Sequence, residues 1–458
     1  MSAPLPIAII GGGFSGAITA VQLTRALPGW PILVFERGGP VGAGLAYATQ
    51  FTGHLLNVRA ANMSAFPDDP GHFEAWIAAA GRSEQDCHVT AAGTFTSRRL
   101  YARYIRDCFD GIARDDATGR RPQWVRADIV DCEKTRDGFL LTDAAGQTYA
   151  AASVILATGH VPAHPNPDPR HVANPWDFSY LDGLDREQPV LILGSALTMV
   201  DILLTLRESG FSGPVTALSR RGLLPNAHRP SAPWPTPDFT PDERRSVLGT
   251  LRRLRREVTA ARRQGIDWRS VVDSIRPITA ELWMGWNIEE RRRFLRHARR
   301  WWDIHRHRMA PPIENAIARE VREGGLNVIA GRVLAVEPEK KGLRVSLRRK
   351  GGTAIEGKPF QRVITATGIE SARNLRSGLT DRLLARGLIR LDPLGIGIDV
   401  TPGLAVIDEG GAAVPGLWAL GPIVLGTFWE CLAVPDIRRQ AAECAAAVAG
   451  RLSYVESL

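Results

Sequence analysis

No uninterrupted apolar stretch in the chain approaches the roughly 18 residues that a membrane span requires, and no basic leader precedes the opening MSAPLPIAII. A soluble, cytoplasmic protein is the expectation. Cysteine is scarce. Cys87, Cys108, Cys132, Cys431 and Cys444 are scattered, odd in number and never spaced C-x-x-C, which argues against a disulfide framework, a structural zinc site and a dithiol redox centre. No metal site is expected, and no internal repeat of about 20–50 residues appears. Lysine is absent from residues 241–310, although that segment holds 18 arginines and nine acids, an excess equal to the net charge of +9 carried by all 458 residues. Hydrophobic residues at 44% and charged residues at 23% exclude disorder and fibre, and the length points to two or three domains or to one large enzyme built from interleaved units.

What is there is concentrated in two glycine turns. Ile7–Ile10 reads as a buried strand, Gly11-Gly12-Gly13-Phe14-Ser15-Gly16 as a turn, and Ala17–Leu27 as a helix stopped by Pro28-Gly29. Gly11 permits the tight turn, Gly13 lets backbone approach a pyrophosphate, and Gly16 lets helix pack on strand. A second strand, Ile32–Phe35, ends in Glu36 with Arg37 behind it. The carboxylate lies 20 residues after Gly16, where it would accept hydrogen bonds from ribose hydroxyls. Dinucleotide binding is the reading, against a glycine turn in some other α/β fold.

A second strand, turn and helix begin at Pro189: Val190–Leu193, then Gly194-Ser195-Ala196, then Leu197–Leu206. Ala196 stands where a second glycine would bring backbone closest to a pyrophosphate. The next strand, Val215–Leu218, runs into Ser219-Arg220-Arg221. Two guanidiniums and a hydroxyl suit a 2′-phosphate, whereas an acid would suit an unphosphorylated ribose, so NADPH is favoured over NADH. Two further strands, Ser153–Ala157 and Gln361–Thr365, end in small-residue turns, Ala157-Thr158-Gly159 and Ala366-Thr367-Gly368, where backbone passes close to a cofactor or a neighbouring loop. Trp124–Thr148 reads as a β-meander, Pro162–Pro175 as a linker, Val333–Val336 and Leu343–Leu347 as antiparallel strands, and Asp436–Ala449 as a helix.

Together these features make nearly the whole chain resemble flavoproteins with two dinucleotide-binding domains. The resemblance implies an α/β fold class: a Rossmann-like FAD domain (1–188 and 331–458) interrupted by a Rossmann-like NAD(P)H domain (189–330) that carries an Arg-rich helical insertion at 241–318. Three other stretches narrow it. His54-Leu55-Leu56-Asn57-Val58 with Met63-Ser64, Arg98-Arg99-Leu100-Tyr101 with Tyr104, and Gly421-Pro422 followed by Trp429–Arg438 look like a bacterial FAD/NAD(P)-binding family. That family includes an FAD-dependent urate hydroxylase and is distantly similar to N-hydroxylating monooxygenases. The likeness implies that Asn57, Ser64 and Arg99 lie along the FAD, that Gly421 sits near the flavin ribityl chain and ring, and that Trp429–Arg438 closes over it. Pro422 stands where many flavoproteins have Asp, so a carboxylate contact to the ribityl chain does not carry over.

The implied partners are FAD, NADPH or NADH, O2 and a small-molecule substrate. Reduced flavin would take up oxygen as a C4a-hydroperoxide, with urate as the first substrate to consider; a reductase of the same fold, passing electrons to another acceptor, is the competing reading. Glu430 and His228 are the candidate acid–base side chains, Asp436 is a second carboxylate able to hold or relay a proton, and His228 or Arg438 suits steering an anionic substrate. The blander reading has Glu430, Asp436 and Arg438 pairing around the helix start after Pro435, and His228 as a loop histidine.

The arginines of 241–310 are interleaved with Trp268, Trp283, Trp286, Trp301 and Trp302, which raises RNA binding as a third possibility. Leu251 and Leu254 fall between arginine pairs as on an amphipathic helix. A solvated or domain-capping helical bundle is therefore preferred over an anionic partner or a substrate funnel, with nucleic acid disfavoured, no membrane partner and the oligomeric state open.

Overall fold

The computed structural model describes residues 4–80, 83–115, 122–159, 165–368 and 378–456. Ile7–Ile10 is buried along its whole length because parallel strands pair on both sides of it, Ile32–Glu36 on one and Ser153–Leu156 on the other. Gln123–Arg126 extends the sheet past Ile32–Glu36. Ala413–Ala419 and Ala405–Ile407 extend it the other way, giving six strands. Helices Phe14–Ala26, Arg98–Asp115 and Val434–Glu456 cover one face, burying Ile18, Val21, Tyr101, Ile437 and Val448 against Ile7 and Ile9. The other face carries a three-stranded antiparallel sheet of Ile129–Lys134, Phe139–Asp143 and Thr148–Ala151. The meander read at Trp124–Thr148 therefore divides, its first strand joining the parallel sheet and the rest forming this cover.

The second sheet has seven strands in the order His171–Val172, Arg362–Thr365, Val190–Leu193, Val215–Ser219, Leu326–Glu339, Gly342–Arg349, Ile355–Phe360. The expected domain boundary at 330 is corrected here, because it falls inside a strand. Leu326–Glu339 pairs parallel with Val215–Ser219 at its start and antiparallel with Gly342–Arg349 over the rest, so 331–365 completes the second sheet. The start also moves, since His171–Val172 pairs with Arg362–Thr365. Part of the proline-rich linker, 162–164, lies outside the described residues.

Residues 241–318 are helical without a strand among the described residues, and they pack on both domains. Met309 and Ile317 join the core around Val190 and Met199 of the second domain. Val247, Trp283, Trp286, Phe294 and Ala298 pack on Ile423, Trp429 and Cys431 of the first domain. Trp283 is 1% exposed and stacks on Trp429 with ring centroids 4.9 Å apart. Trp283 and Trp286 thus bind the insertion to the core of the first domain, while Arg253, Arg292 and Arg293 pair with acids of their own helices. Among the described residues no helix is long and apolar enough to cross a membrane.

Candidate active site

The first turn is built by steric exclusion. Gly11 has φ +106, and a Cβ there would overlap the Ala157 carbonyl oxygen; a Cβ on Gly16 would overlap the Gly11 carbonyl; one on Gly12 would enter the Trp124 ring. Gly13 differs: its would-be Cβ meets nothing nearer than Gly44 Cα at 3.3 Å. Glu36 accepts from Gly12 N at 2.9 Å and Gly38 N at 3.1 Å, one bond on each oxygen. Lone pairs remain for ribose hydroxyls. Arg37 follows on the surface. Thr158 Oγ1 is buried without a partner. These features fit a dinucleotide: a cradle with one open glycine, an acid at the strand end and an unspent hydroxyl. Phe14 instead fills core beside Tyr47 and Tyr101, and Ser15 lies under Gly421, whose Cβ would come within 2.6 Å of its hydroxyl.

The second domain repeats the construction. Gly11 N donates to Phe35 O at 2.9 Å and Gly194 N to Leu218 O at 2.8 Å; Ala157 N donates to Ile10 O at 2.9 Å and Ala366 N to Leu193 O at 2.7 Å. A Cβ on Gly194, at φ +129, would overlap the Ala366 carbonyl just as one on Gly11 would overlap Ala157. The two Ala-Thr-Gly turns are thus the strand ends against which the two glycine turns close. Ala366-Thr367-Gly368 belongs to the second domain, not to the resumed first.

A cavity of about 460 Å³ opens where the domains meet. Tyr47, Leu56, Asn57 and Met63 come from the first domain, Ala196–Thr198 and Ala366–Gly368 from the second, Arg299, Arg300, Asp303 and His307 from the insertion, and Trp429, Glu430 and Leu432–Val434 from the C-terminal segment. Its volume is that of a site for small ligands. Arg98 and Asp201 cross the domain interface at its edge with an ion pair of 2.7 Å. Beside them His54 Nε2 lies 2.8 Å from Thr205 Oγ1.

Several expected site residues are spent elsewhere. Ser64 Oγ donates within its own turn, to Asp69 O at 2.5 Å and Phe66 O at 3.1 Å, and its carbonyl accepts from Arg438 at 2.7 Å. Arg99 pairs with Asp86 at 2.7 Å outside the cavity. Adjacent helix positions are about 100° apart, so Arg98 takes the inward direction instead. Ser195 Oγ is used by Ser219, Leu223 and Arg300. Asp436 pairs with Arg276 of the insertion at 3.2 Å rather than with Arg438. Gly421, at φ +76, donates its N–H to Gln440 and accepts from Cys431 Sγ, which sets the C-terminal segment against the first helix; Pro422 follows in a short 3-10 turn.

Glu430 lines the cavity but is an anion, not an acid. It is fully buried at φ +74, accepts from Trp302 Nε1 at 2.6 Å, and lies 3.4 Å from both Arg306 Nε and His307 Nε2. Burial alone would raise its carboxyl, but His307 and Arg306 outweigh it and hold it far below the ordinary range. Asp303 moves the opposite way, its carboxyl raised by burial. His307 follows Asp303 by four positions and faces the cavity from the same helix side. Sequence reasoning passed over Arg98, Asp201, Arg300, Asp303 and His307, although the three- and four-residue spacing of 299–307 marks one helix face.

The structure contradicts His228 as a catalyst. It does not line the cavity; its Nε2 donates to Asn57 O at 2.9 Å, tying the second domain to the first. Burial, then the charges of Arg308, Arg59 and Arg306, lower its pKa from 6.5 to about 3. The folded protein therefore keeps it neutral while the unfolded chain takes up a proton below 6.5. Stability falls as pH drops from 6.5 towards 3, by about 1.4 kcal/mol per unit. His228→Gln keeps an amide donor for Asn57 and should flatten the loss of melting temperature between about pH 7 and about pH 5. Equal slopes in variant and parent would refute the assignment.

Residues 8–161 match the FAD-NAD(P)-binding family model. The match takes in the first glycine turn, Glu36, Asn57 and the Ala157-Thr158-Gly159 turn. No curated protein matches the chain in sequence. In fold the chain is similar to the ornithine N-hydroxylase of Kutzneria sp. 744, solved with reduced FAD, NADP+ and L-ornithine: TM-score 0.66, 14% identity, 98% of this chain and 100% of that one covered. It is similar to L-lysine 6-monooxygenase from Pseudomonas syringae, with TM-score 0.66, 15% identity and 97% and 99% covered. It is also similar, at TM-score 0.53 and 13% identity, to thioredoxin reductase of T. acidophilum, with 98% and 99% covered. The architecture is thus an α/β fold of two Rossmann-like domains, the first of them matched by the FAD-NAD(P)-binding family model.

Proposed function

We propose that this protein is an FAD-dependent NAD(P)H monooxygenase that hydroxylates a small molecule in the cavity between its two dinucleotide domains. The observation that carries the reading is the convergence on one cavity of Asn57, the second glycine turn and a charged wall from the insertion. FAD, when bound, supplies hydride acceptance from the nicotinamide and oxygen activation. The first turn with Glu36 and Thr158 would hold its adenosine and pyrophosphate end, and Gly421 would face the ribityl side. Leu56, Val58, Leu425, Trp429 and Leu432 keep water from the reacting atoms. Asp303 and His307 are the cavity groups suited to hold and move a proton, and Glu430 orients His307 through Nε2. Arg220 and Arg221, at the end of Val215–Ser219, would meet a 2′-phosphate, with Arg221 stacked 5.5 Å over Trp301.

Urate is the substrate drawn from the sequence motifs, and amino acids with a terminal amine are drawn from the folds it resembles. The purified protein is expected to be yellow and to oxidise NADPH slowly alone. A true substrate should accelerate that oxidation and disappear with little peroxide, whether urate, ornithine or lysine. Peroxide equal to all NADPH consumed, with every compound, would replace this reading by a reductase, which the likeness to thioredoxin reductase keeps as the alternative. A colourless protein that takes up no FAD would overturn both.

A further inference from the structure

The second glycine turn carries Ala196 where a middle glycine would bring backbone closest to a pyrophosphate, and the helix that follows, Leu197–Glu208, has no side-chain cap. Arg300 of the insertion reaches into this turn. One nitrogen, Nη2, donates to Ser195 O at 3.2 Å, Ser195 Oγ at 2.9 Å and Leu223 O. Its remaining donors, Nε and Nη1, have no protein acceptor among the described residues, and the side chain lines the cavity beside Ala196, Leu197 and Thr198. No carboxylate pairs with it among the described residues. Burial disfavours its charge; Asp303 opposes that, and Arg299 and Arg220 add to it. An anchored, half-buried guanidinium with free donors at the cavity wall suits an anionic ligand.

We infer that Arg300 binds the diphosphate of the pyridine nucleotide, so that the helical insertion supplies by charge what the turn lacks in backbone approach at Ala196. Arg220 and Arg221 lie farther out, at the end of the neighbouring strand, where they read the 2′-phosphate. The inference rests on the nicotinamide part of the proposed function. It makes the insertion part of the nucleotide site rather than a cover. Its helix Arg299–Arg306 would then carry a diphosphate ligand at Arg300 and, through Trp302 and Glu430, a wall of the flavin-side cavity.

The test is equilibrium binding of NAD+ and NADP+ to the FAD-loaded protein by calorimetry, for the parent, Arg300→Gln, Arg300→Lys and the double variant Arg220→Ala with Arg221→Ala. Flavin content and melting temperature confirm that each variant is folded. Arg300→Gln is expected to weaken both nucleotides by about tenfold to a hundredfold, as for a lost charge-assisted hydrogen bond, and Arg300→Lys to recover part of it. The double variant should weaken NADP+ and leave NAD+ unchanged. Inorganic pyrophosphate should compete with NAD+ in the parent and not in Arg300→Gln. Unchanged or tighter binding of both nucleotides by Arg300→Gln, or a loss confined to NADP+, would overturn the inference while the nicotinamide reading stands. A parent that binds neither nucleotide would overturn that reading and the inference with it.

Discussion

Alanine at Gly13 is expected to give a folded protein that no longer holds flavin, whereas alanine at Gly11 or Gly16 is expected to give little folded protein at all. The three glycines share one motif but answer to different neighbours. Gly11 has φ +106 and its Cβ would overlap the Ala157 carbonyl; Gly16's would overlap the Gly11 carbonyl. Both obstacles are backbone, which cannot rotate away. The cost should exceed about 4 kcal/mol, in the range reserved for broken cores and strained backbone. Gly13 has φ −67 and ψ −167, a conformation any residue adopts, and only Gly44 Cα at 3.3 Å to accommodate. Its lack of a side chain serves something other than the protein. If that something is the FAD pyrophosphate, Gly13→Ala should melt within a few degrees of the parent with its flavin-to-protein ratio cut to roughly a tenth or less. A yellow, fully loaded Gly13→Ala would remove the pyrophosphate from this turn. A Gly11→Ala that melts like the parent would remove the steric account.

The two turns were legible in the sequence because their chemistry is local: strand, glycine, helix and terminal acid fall within about 30 residues. The Ala-Thr-Gly strand ends were legible as places of close approach, but not what they approach. Ala157 meets Gly11 and Ala366 meets Gly194 through pairing of strands far apart in the chain. The boundary at 330 failed for the same reason. Leu326–Glu339 changes from a parallel to an antiparallel partner partway along, and nothing within the strand announces the change. Arg98 and Arg99 could be told apart only by the direction each takes from its helix. Glu430 was legible as a residue of interest, but its surroundings in the cavity were not. Its proton affinity is set by burial, which raises it, and by His307, Arg306 and Trp302, which together lower it by more, the last of them 128 positions away.

That dependence gives Glu430 a large expected effect. Glu430→Gln keeps the shape of the side chain and removes the charge, leaving Arg306, 7% exposed, without its carboxylate. Stranding one member of a buried ion pair costs about 3–5 kcal/mol, and the melting temperature at neutral pH should fall accordingly. Adding Arg306→Met to Glu430→Gln should restore part of the loss, because the stranded charge goes with it. The pH dependence has a fixed sign. A carboxyl whose folded pKa is depressed adds stability that is fully present above 4.5, its ordinary value, and is lost as pH falls through the folded value. The parent should therefore lose stability on acidification below 4.5 more steeply than Glu430→Gln. Backbone strain is separable from charge here. At φ +74 a glycine is at ease where glutamate is not, so Glu430→Gly gains backbone freedom while losing the ion pair. If strain dominated, that variant would melt above the parent; if the ion pair dominates, it melts well below. Equal melting and equal acid limbs in parent and Glu430→Gln would mean that Arg306 finds its compensation elsewhere, and the link from the insertion helix through Trp302 and Glu430 to the cavity wall would carry no energy.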